Sequence, residues 1–144
     1  MQKTVLVIED ELVQREMMSH VLTMAGYRVL VAEDGMVGYE IALAERPDLI
    51  ILDVIMPEVD GFEVCSHFRA DAEMSATPIV LLTSLADDES ILDGFRSGAD
   101  GFITKPWVHQ ELLNQVRIQL CKAIVDQEKK DPAEYPFNQS IKII

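Results

Sequence analysis

The sequence predicts an α/β fold, a doubly wound five-stranded parallel sheet with five helices, and three features carry that expectation. Short apolar runs rich in β-branched residues recur along the chain, as strands buried on both faces require. Between them, apolar residues return every three or four positions, the period of a helix packed on one side. Strand and helix alternate five times with connections of a few residues, so each strand returns parallel to the last through a crossover.

Thr4-Val-Leu-Val-Ile8 is the first strand and ends on Glu9-Asp10-Glu11. Leu12 to Ala25 is the first helix, with Val13, Met17, Val21 and Met24 on one stripe and Gly26 as its C-cap. Tyr27 to Ala32 is a second strand, and the helical stretch after it closes before Pro47. Leu49-Ile-Ile-Leu52, the third strand, runs directly into Asp53. Beyond a Pro57 to Gly61 turn, Phe62, Cys65 and Phe68 suit a third helix. Pro78-Ile-Val-Leu-Leu82 is the fourth strand and ends at Thr83-Ser84. Ile91, Leu92 and Phe95 mark a fourth helix, capped near Gly98. Gly101-Phe-Ile103 is a short fifth strand leading to Thr104-Lys105-Pro106, and a last helix runs from about Val108 to Asp126. From Glu128 to Ile144 the pattern lapses, and Pro132 and Pro136 give that stretch the look of a tail or linker.

With 144 residues, 49% of them apolar, the chain suits one domain with a sizeable core and hardly two. Twelve Lys and Arg face twenty-five Asp and Glu, a formal charge of −13. That balance argues against a nucleic-acid ligand, whose phosphates need a basic face, and against docking on anionic membranes. No apolar run approaches the roughly 18 residues that span a bilayer, and none follows a basic start as in a signal peptide. Cys65 and Cys121 form no CxxC pair, which fits a reduced, cytoplasmic compartment.

Ligands of open α/β sheets sit beyond the carboxyl ends of the strands. Those ends deliver Glu9 and Asp10 from the first strand, Asp53 from the third, Thr83 and Ser84 from the fourth, and Lys105 from the fifth. Two carboxylates about 5 Å apart repel by roughly 3 kcal/mol at an effective dielectric of about 20. A cluster of three must therefore raise its pKa values or hold a cation. Oxygen ligands without His or Cys favour Mg2+, or Mn2+, which keep positions open for water and phosphate. Lys105 adds fixed positive charge on the opposite side. A carboxylate beside a metal and a lysine can attack phosphorus while the cations stabilise the transferring oxygens. Thr83 and the Ser84 N–H are then placed to donate hydrogen bonds to the bound phosphoryl group.

Glu9-Asp10, Asp53, Thr83-Ser84 and Lys105-Pro106 resemble the signature of a response-regulator receiver domain of two-component signalling, of the chemotaxis-regulator type. Ile51-Leu-Asp-Val-Ile-Met-Pro57, Asp60-Gly61, Gly98-Ala-Asp100 and Gly101-Phe-Ile-Thr-Lys-Pro106 strengthen the likeness, which covers about residues 3–122. The resemblance implies a flavodoxin-like sheet with strand order 2-1-3-4-5. It implies that a sensor histidine kinase or a phosphotransfer protein donates a phosphoryl group to Asp53. Asp10, Asp53 and the backbone carbonyl of Ile55 would bind Mg2+, with Glu9 acting largely through metal-bound water. A cis bond before Pro106, which X-Pro bonds adopt readily, would aim Lys105 inward. On this reading residues 1–126 are the receiver domain and 127–144 the tail or linker. The activity is that of a phosphorylation-controlled switch, with self-phosphorylation from small donors and autodephosphorylation as its only catalysis.

The family's switch couples Thr83 to the aromatic ring of Phe102. When Thr83 turns toward the phosphoryl group it vacates space, the ring moves in, and the surface of the fourth helix, fifth strand and fifth helix changes. Many relatives carry Tyr there; Phe102 has no hydroxyl with which to report its state. Moving a 1:99 equilibrium to 99:1 takes about 5.5 kcal/mol. A phosphoryl group of roughly two negative charges beside a metal and a lysine is of the size to supply that. Gly94 departs from the family's preference for a helix former, at a cost of about 1 kcal/mol relative to Ala. Two readings stay open for it: close packing that excludes a methyl group, or a helix that is easily remodelled. Apolar Ile55 and Leu85 flank the site and either hinder a hydrolytic water or simply pack.

His20, His67 and His109 lack metal-ligand spacing and read as surface or packing residues. Met17, Met18 and Met24 read as core or partner-facing residues, the cysteines as small core residues, and Trp107 as packing at the start of the last helix. Two enzyme or carrier classes compete with the switch. A haloacid-dehalogenase-type phosphatase also uses a strand-end Asp with Mg2+, but wants a second acid where this chain has Ile55. A flavin-binding electron carrier needs a hydroxyl- and glycine-rich phosphate loop where Glu9-Asp10-Glu11 would repel phosphate. The partner on the output side is either a downstream protein target of a stand-alone receiver or an output domain missing from this stretch. Leu113, Val116, Leu120 and Ala123 continue the last helix's stripe toward Ile124, whose end is a candidate seam for a phosphorylation-dependent homodimer or a linker helix. Ile141-Lys-Ile-Ile144 packs back on the domain or begins a next unit.

Overall fold

The five apolar runs become five strands in the computed structural model, which describes residues 2–56, 59–84 and 87–130. They are β1 (Thr4–Ile8), β2 (Arg28–Ala32), β3 (Leu49–Asp53), β4 (Ile79–Thr83) and β5 (Gly101–Thr104). All neighbours pair in parallel, in the expected order β2-β1-β3-β4-β5. β1, β3 and β4 are buried along their whole length, which is why their sequences show no polar alternation. β2 lies at one edge and is mostly half-buried or exposed.

The crossovers are α1 (Leu12–Met24), α2 (Gly35–Glu45), α3 (Gly61–Ala70), α4 (Asp88–Arg96) and α5 (His109–Lys130). Three starts are capped by aspartates: Asp34 accepts from the Val37 N–H at 2.8 Å, Asp60 from Phe62 at 2.8 Å and Asp87 from Ser90 at 3.3 Å. Gly26 and Gly98 follow α1 and α4 with φ of 98° and 105°, a region that favours glycine. The last helix runs to Lys130 rather than Asp126, and β2 opens at Arg28 rather than Tyr27.

Alternate residues of each strand feed two core layers, one per sheet face. Val5, Val7, Leu49, Ile51, Val80, Leu82 and Ile103 pack against Met18, Val21 and Leu22 of α1 and Leu112, Val116 and Leu120 of α5. Leu6, Ile8, Ile50, Leu52 and Leu81 pack on the other face with Ala42 of α2 and Val64, Cys65 and Phe68 of α3. The expected α1 stripe is corrected here. The helix docks through Met18, Val21 and Leu22, and each residue of offset turns a side chain by about 100°. Val13, Met17 and Met24 are therefore exposed, Met24 at 75%. The expectation for the cysteines is half corrected: Cys65 is buried, but Cys121 sits on the outer side of α5 and is exposed. All three histidines are exposed.

The far end of the sheet is closed by one guanidinium. Arg69 of α3 donates to the carbonyls of Gly98 (2.7 Å), Thr77 (2.7 Å) and Met74 (3.3 Å) and to Asp100 Oδ2 (2.5 Å). The same Asp100 oxygen accepts the Ile79 N–H at 2.9 Å, so the Gly98-Ala-Asp100 stretch ties α3 to β4 and β5. Among the described residues no helix is long and apolar enough to cross a membrane.

Candidate functional site

Parallel pairing brings the carboxyl ends of the strands to one rim, and register sets which side chains meet there. Ile8 is level with Leu52, Asp53 with Leu82, and Thr83 with Thr104. Glu9, Asp53, Thr83 and Lys105 thus emerge at adjacent levels. One carboxylate oxygen from each of Glu9, Asp10 and Asp53 lies within 4.8 Å of the others. Glu9 and Asp53 are buried, whereas Asp10 is exposed and opens the cluster to solvent. Lys105 bridges the two buried acids, its Nζ donating to Asp53 Oδ2 at 3.1 Å and to Glu9 Oε1 at 3.3 Å. Asp53 Oδ1 accepts the Ile55 N–H at 3.3 Å.

Burial, reinforced by a hydrogen bond with Asp53 and by its charge, pushes the Glu9 carboxyl from 4.5 up to about 8, against the pull of Lys105. Burial acts to lower the Lys105 ammonium, but the charges and hydrogen bonds of Asp53 and Glu9 outweigh it and raise the group. Glu9 Oε2 is buried with no hydrogen-bond partner among the described residues. An unpartnered carboxylate oxygen in an all-oxygen donor set fits a hard divalent cation such as Mg2+.

Local backbone explains why the acid sits where it does. Gly61, the first residue of α3, donates its N–H to the Val54 carbonyl at 2.9 Å. A Cβ at Gly61 would strike the main chain of Asp53 and Val54, with the Val54 Cα at 2.5 Å. Ile55 pairs with Asp60 in an antiparallel bridge and its side chain is 56% exposed. The Lys105–Pro106 peptide is cis, as the resemblance implies, and the Lys105 N–H donates to the Thr83 carbonyl at 2.8 Å. Thr83 is buried and Ser84 exposed.

The family model described as the response regulator receiver domain matches residues 5–117. The chain belongs to that family. Over 116 residues it is 41% identical to the DNA-binding dual master transcriptional regulator RpaA of Synechocystis, covering 81% of this chain and 48% of that one. It is 35% identical to the phosphate regulon regulatory protein PhoB of Pseudomonas aeruginosa, covering 82% and 52%. The chain spans about half the length of the curated relatives it matches. Among solved structures, the chemotaxis protein CheY4 of Vibrio cholerae superposes with a TM-score of 0.79 at 36% identity, over 81% of this chain and 98% of that one. This receiver domain is a phosphorylation-controlled switch of two-component response regulators, and the phosphatase alternative finds no support. Receiver domains are signalling switches, generally not enzymes, and bind Mg2+ at an acidic pocket; this chain has an acidic cluster of Glu9, Asp10 and Asp53.

The receiver's expected switch pair shares one sheet face. Phe102 is level with Leu81, and Thr83 lies one same-face step beyond Leu81. The half-buried Phe102 ring meets Phe95 of α4 edge-on, with centroids 5.1 Å apart at 71°. Gly94 is buried beneath that ring: a Cβ there would collide with Phe102 Cζ and come within 3.1 Å of Leu81 Cδ1. Of the two readings of Gly94, close packing is the one this contact supports. Leu85, Pro57 and Ile141–Ile144 lie outside the described residues.

Sequence reasoning passed over Gln14 and Arg15. Arg15 Nη1 donates to the carbonyls of Glu9 (2.9 Å) and Asp10 (3.3 Å). Gln14 Oε1 accepts the indole N–H of Trp107 at 3.0 Å. The one signal in the sequence is a cation in the first turn of a helix, where the dipole disfavours it.

Proposed function

We propose that Asp53 of this receiver domain accepts a phosphoryl group from the phosphohistidine of a sensor histidine kinase or phosphotransfer protein. The observation that carries the reading is the buried Asp53 carboxylate held on both oxygens, by Lys105 Nζ at 3.1 Å and the Ile55 N–H at 3.3 Å. A carboxylate so fixed attacks in one orientation. A carboxylate oxygen of Asp53 bonds to phosphorus, the P–N bond to the imidazole breaks, and the imidazole leaves with its electron pair and takes up a proton. Lys105 faces the negative charge that gathers on the phosphoryl oxygens, and Thr83 with the Ser84 N–H donates to them. Asp10, Asp53 and the Ile55 carbonyl would hold Mg2+, with Glu9 behind them. When bound, Mg2+ supplies further positive charge to those oxygens. Ile55 leaves no acid or base two residues after Asp53, so water attack on the acyl phosphate goes unaided from that position.

Thr83 turning toward the new group and Phe102 following it would change the α4, β5 and α5 surface. That surface serves a downstream target, an output domain carried elsewhere, or a phosphorylation-dependent homodimer. Residues 1–126 form the receiver unit on this reading and 127–144 its tail or linker, of which 127–130 continue α5, and the cytoplasm is its compartment. Incubation with acetyl phosphate or phosphoramidate and Mg2+ tests the reading. The expected result is a mass gain of one phosphoryl group, abolished by Asp53→Ala. No adduct, together with catalytic hydrolysis of phosphate esters, would overturn it.

A further inference from the structure

We infer that Gln14 and Arg15 are positioning residues for phosphoryl transfer: from the first turn of α1, Arg15 holds the turn of the acids and Gln14 holds the loop of Lys105. The inference rests on the Asp53 reading above. Lys105 and Glu9 are 96 positions apart in sequence, so nothing local aligns them. Arg15 spans from α1 back to the Glu9 and Asp10 carbonyls at 2.9 and 3.3 Å. Both acceptors are main-chain oxygens, so the guanidinium fixes the two peptide planes and with them the directions in which the acids point. The carboxylate oxygens stay available to a cation.

Gln14 works on the other wall. Its Oε1 accepts the Trp107 N–H at 3.0 Å, and Trp107 follows Lys105-Pro106 directly. The half-buried indole is further steadied by His109, with ring centroids 5.8 Å apart at 27°. A second observation points the same way. Glu11, at the N-cap of α1, makes no side-chain cap hydrogen bond. The start of α1 has no side-chain cap of its own and is held by Arg15 reaching back to the turn before it and by Gln14 reaching across to Trp107.

The test uses the whole chain with Arg15→Ala, Arg15→Lys, Gln14→Leu and Gln14→Glu. Three readouts are amide exchange of residues 9–12 without metal, Mg2+ affinity by calorimetry, and the rate of Asp53 labelling by acetyl phosphate. Arg15→Ala should speed exchange in the acid turn and weaken Mg2+ binding at least about tenfold, the usual effect of losing a group behind a metal ligand. Arg15→Lys keeps the charge but not the planar guanidinium that carries Nη1, so it should move the same way by a smaller factor and serves if the alanine variant does not fold. Gln14→Leu should slow labelling about tenfold while Mg2+ affinity stays within about twofold, and Gln14→Glu, which retains the acceptor, should restore the rate. Variants that lose thermal stability but keep wild-type exchange, affinity and labelling rate would overturn the inference. Failure of the wild-type chain to label at Asp53 would instead overturn the Asp53 reading, while exchange and Mg2+ affinity would still report on Arg15.

Discussion

The ring of Phe102 rests on the bare backbone of Gly94, its Cζ end standing where a side chain on the helix would begin. A residue that looks like a weak point of α4 is therefore the seat of the aromatic ring beside Thr83.

Gly94→Ala sets two effects against each other. Alanine favours the helix by about 1 kcal/mol, but a methyl driven into Phe102 and Leu81 costs about 1–3 kcal/mol. The collision should win, with a net loss of about 1 kcal/mol in chemical denaturation. In a Phe102→Ala background the ring is gone and the sign should reverse. A Gly94→Ala protein as stable as the parent, with unchanged exchange in α4, would show that ring and helix are not in this contact.

Lys105→Met leaves Glu9 and Asp53 facing one another without the ammonium between them. Labelling of Asp53 by acetyl phosphate should slow by about 10²-fold, the typical effect of removing one charge-stabilising donor. Timed mass spectrometry reads this directly, and a rate within about threefold of wild type would show that Lys105 does not face the transferring group.

Glu9 makes the metal-free protein sensitive to alkali. Its carboxyl is raised from 4.5 to about 8, so the folded state holds the proton more tightly than the unfolded state. That contribution to stability is complete below 4.5 and is lost as pH climbs through about 8. The denaturation midpoint without metal should fall across this window relative to Glu9→Gln, which has no proton to lose. A cation competes with that proton, so Mg2+ affinity should rise over the same range in wild type and flatten in the variant. Parallel midpoint curves for the two proteins would contradict the shift.

Arg69→Ala removes the clamp at the opposite end of the sheet. Asp100 and three carbonyls lose the guanidinium, while Asp100 keeps the Ile79 N–H and Met74 the Thr77 N–H. The expected loss is about 3 kcal/mol, as for breaking one side of a partly buried pair. Because the clamp lies away from the acids, labelling of the folded fraction should change by less than about twofold. A large change in labelling rate would mean the two ends of the sheet are coupled.

Much of this molecule is legible because its physics is local or periodic. β1, β3 and β4 announce themselves, since a strand covered on both faces is apolar at consecutive positions, with a polar residue only at one end. Asp34, Asp60 and Asp87 cap three helix starts through the backbone hydrogen bond each accepts, a local signal that the sequence reading did not use. The acids, the hydroxyls and the lysine could be gathered into one site from the rule that parallel strands end on a common rim. The buried stripe of α1 was not legible: Met17 and Met18 differ by one step of rotation, and only the position of the sheet decides which is covered. Arg15 and Gln14 escaped for a related reason, because their partners are a backbone turn and a residue 93 positions away.

The sequence alone determined the strand and helix succession and the charges and oxygen donors that meet at the rim. Those depend on composition and spacing, which folding does not change. Tertiary structure decided the rest. It set Lys105 between two buried carboxylates, left one oxygen of Glu9 without a partner among the described residues, and laid Phe102 on Gly94. Each of these depends on residues far apart in the chain, and such a meeting has an energy only once packing has fixed the distance.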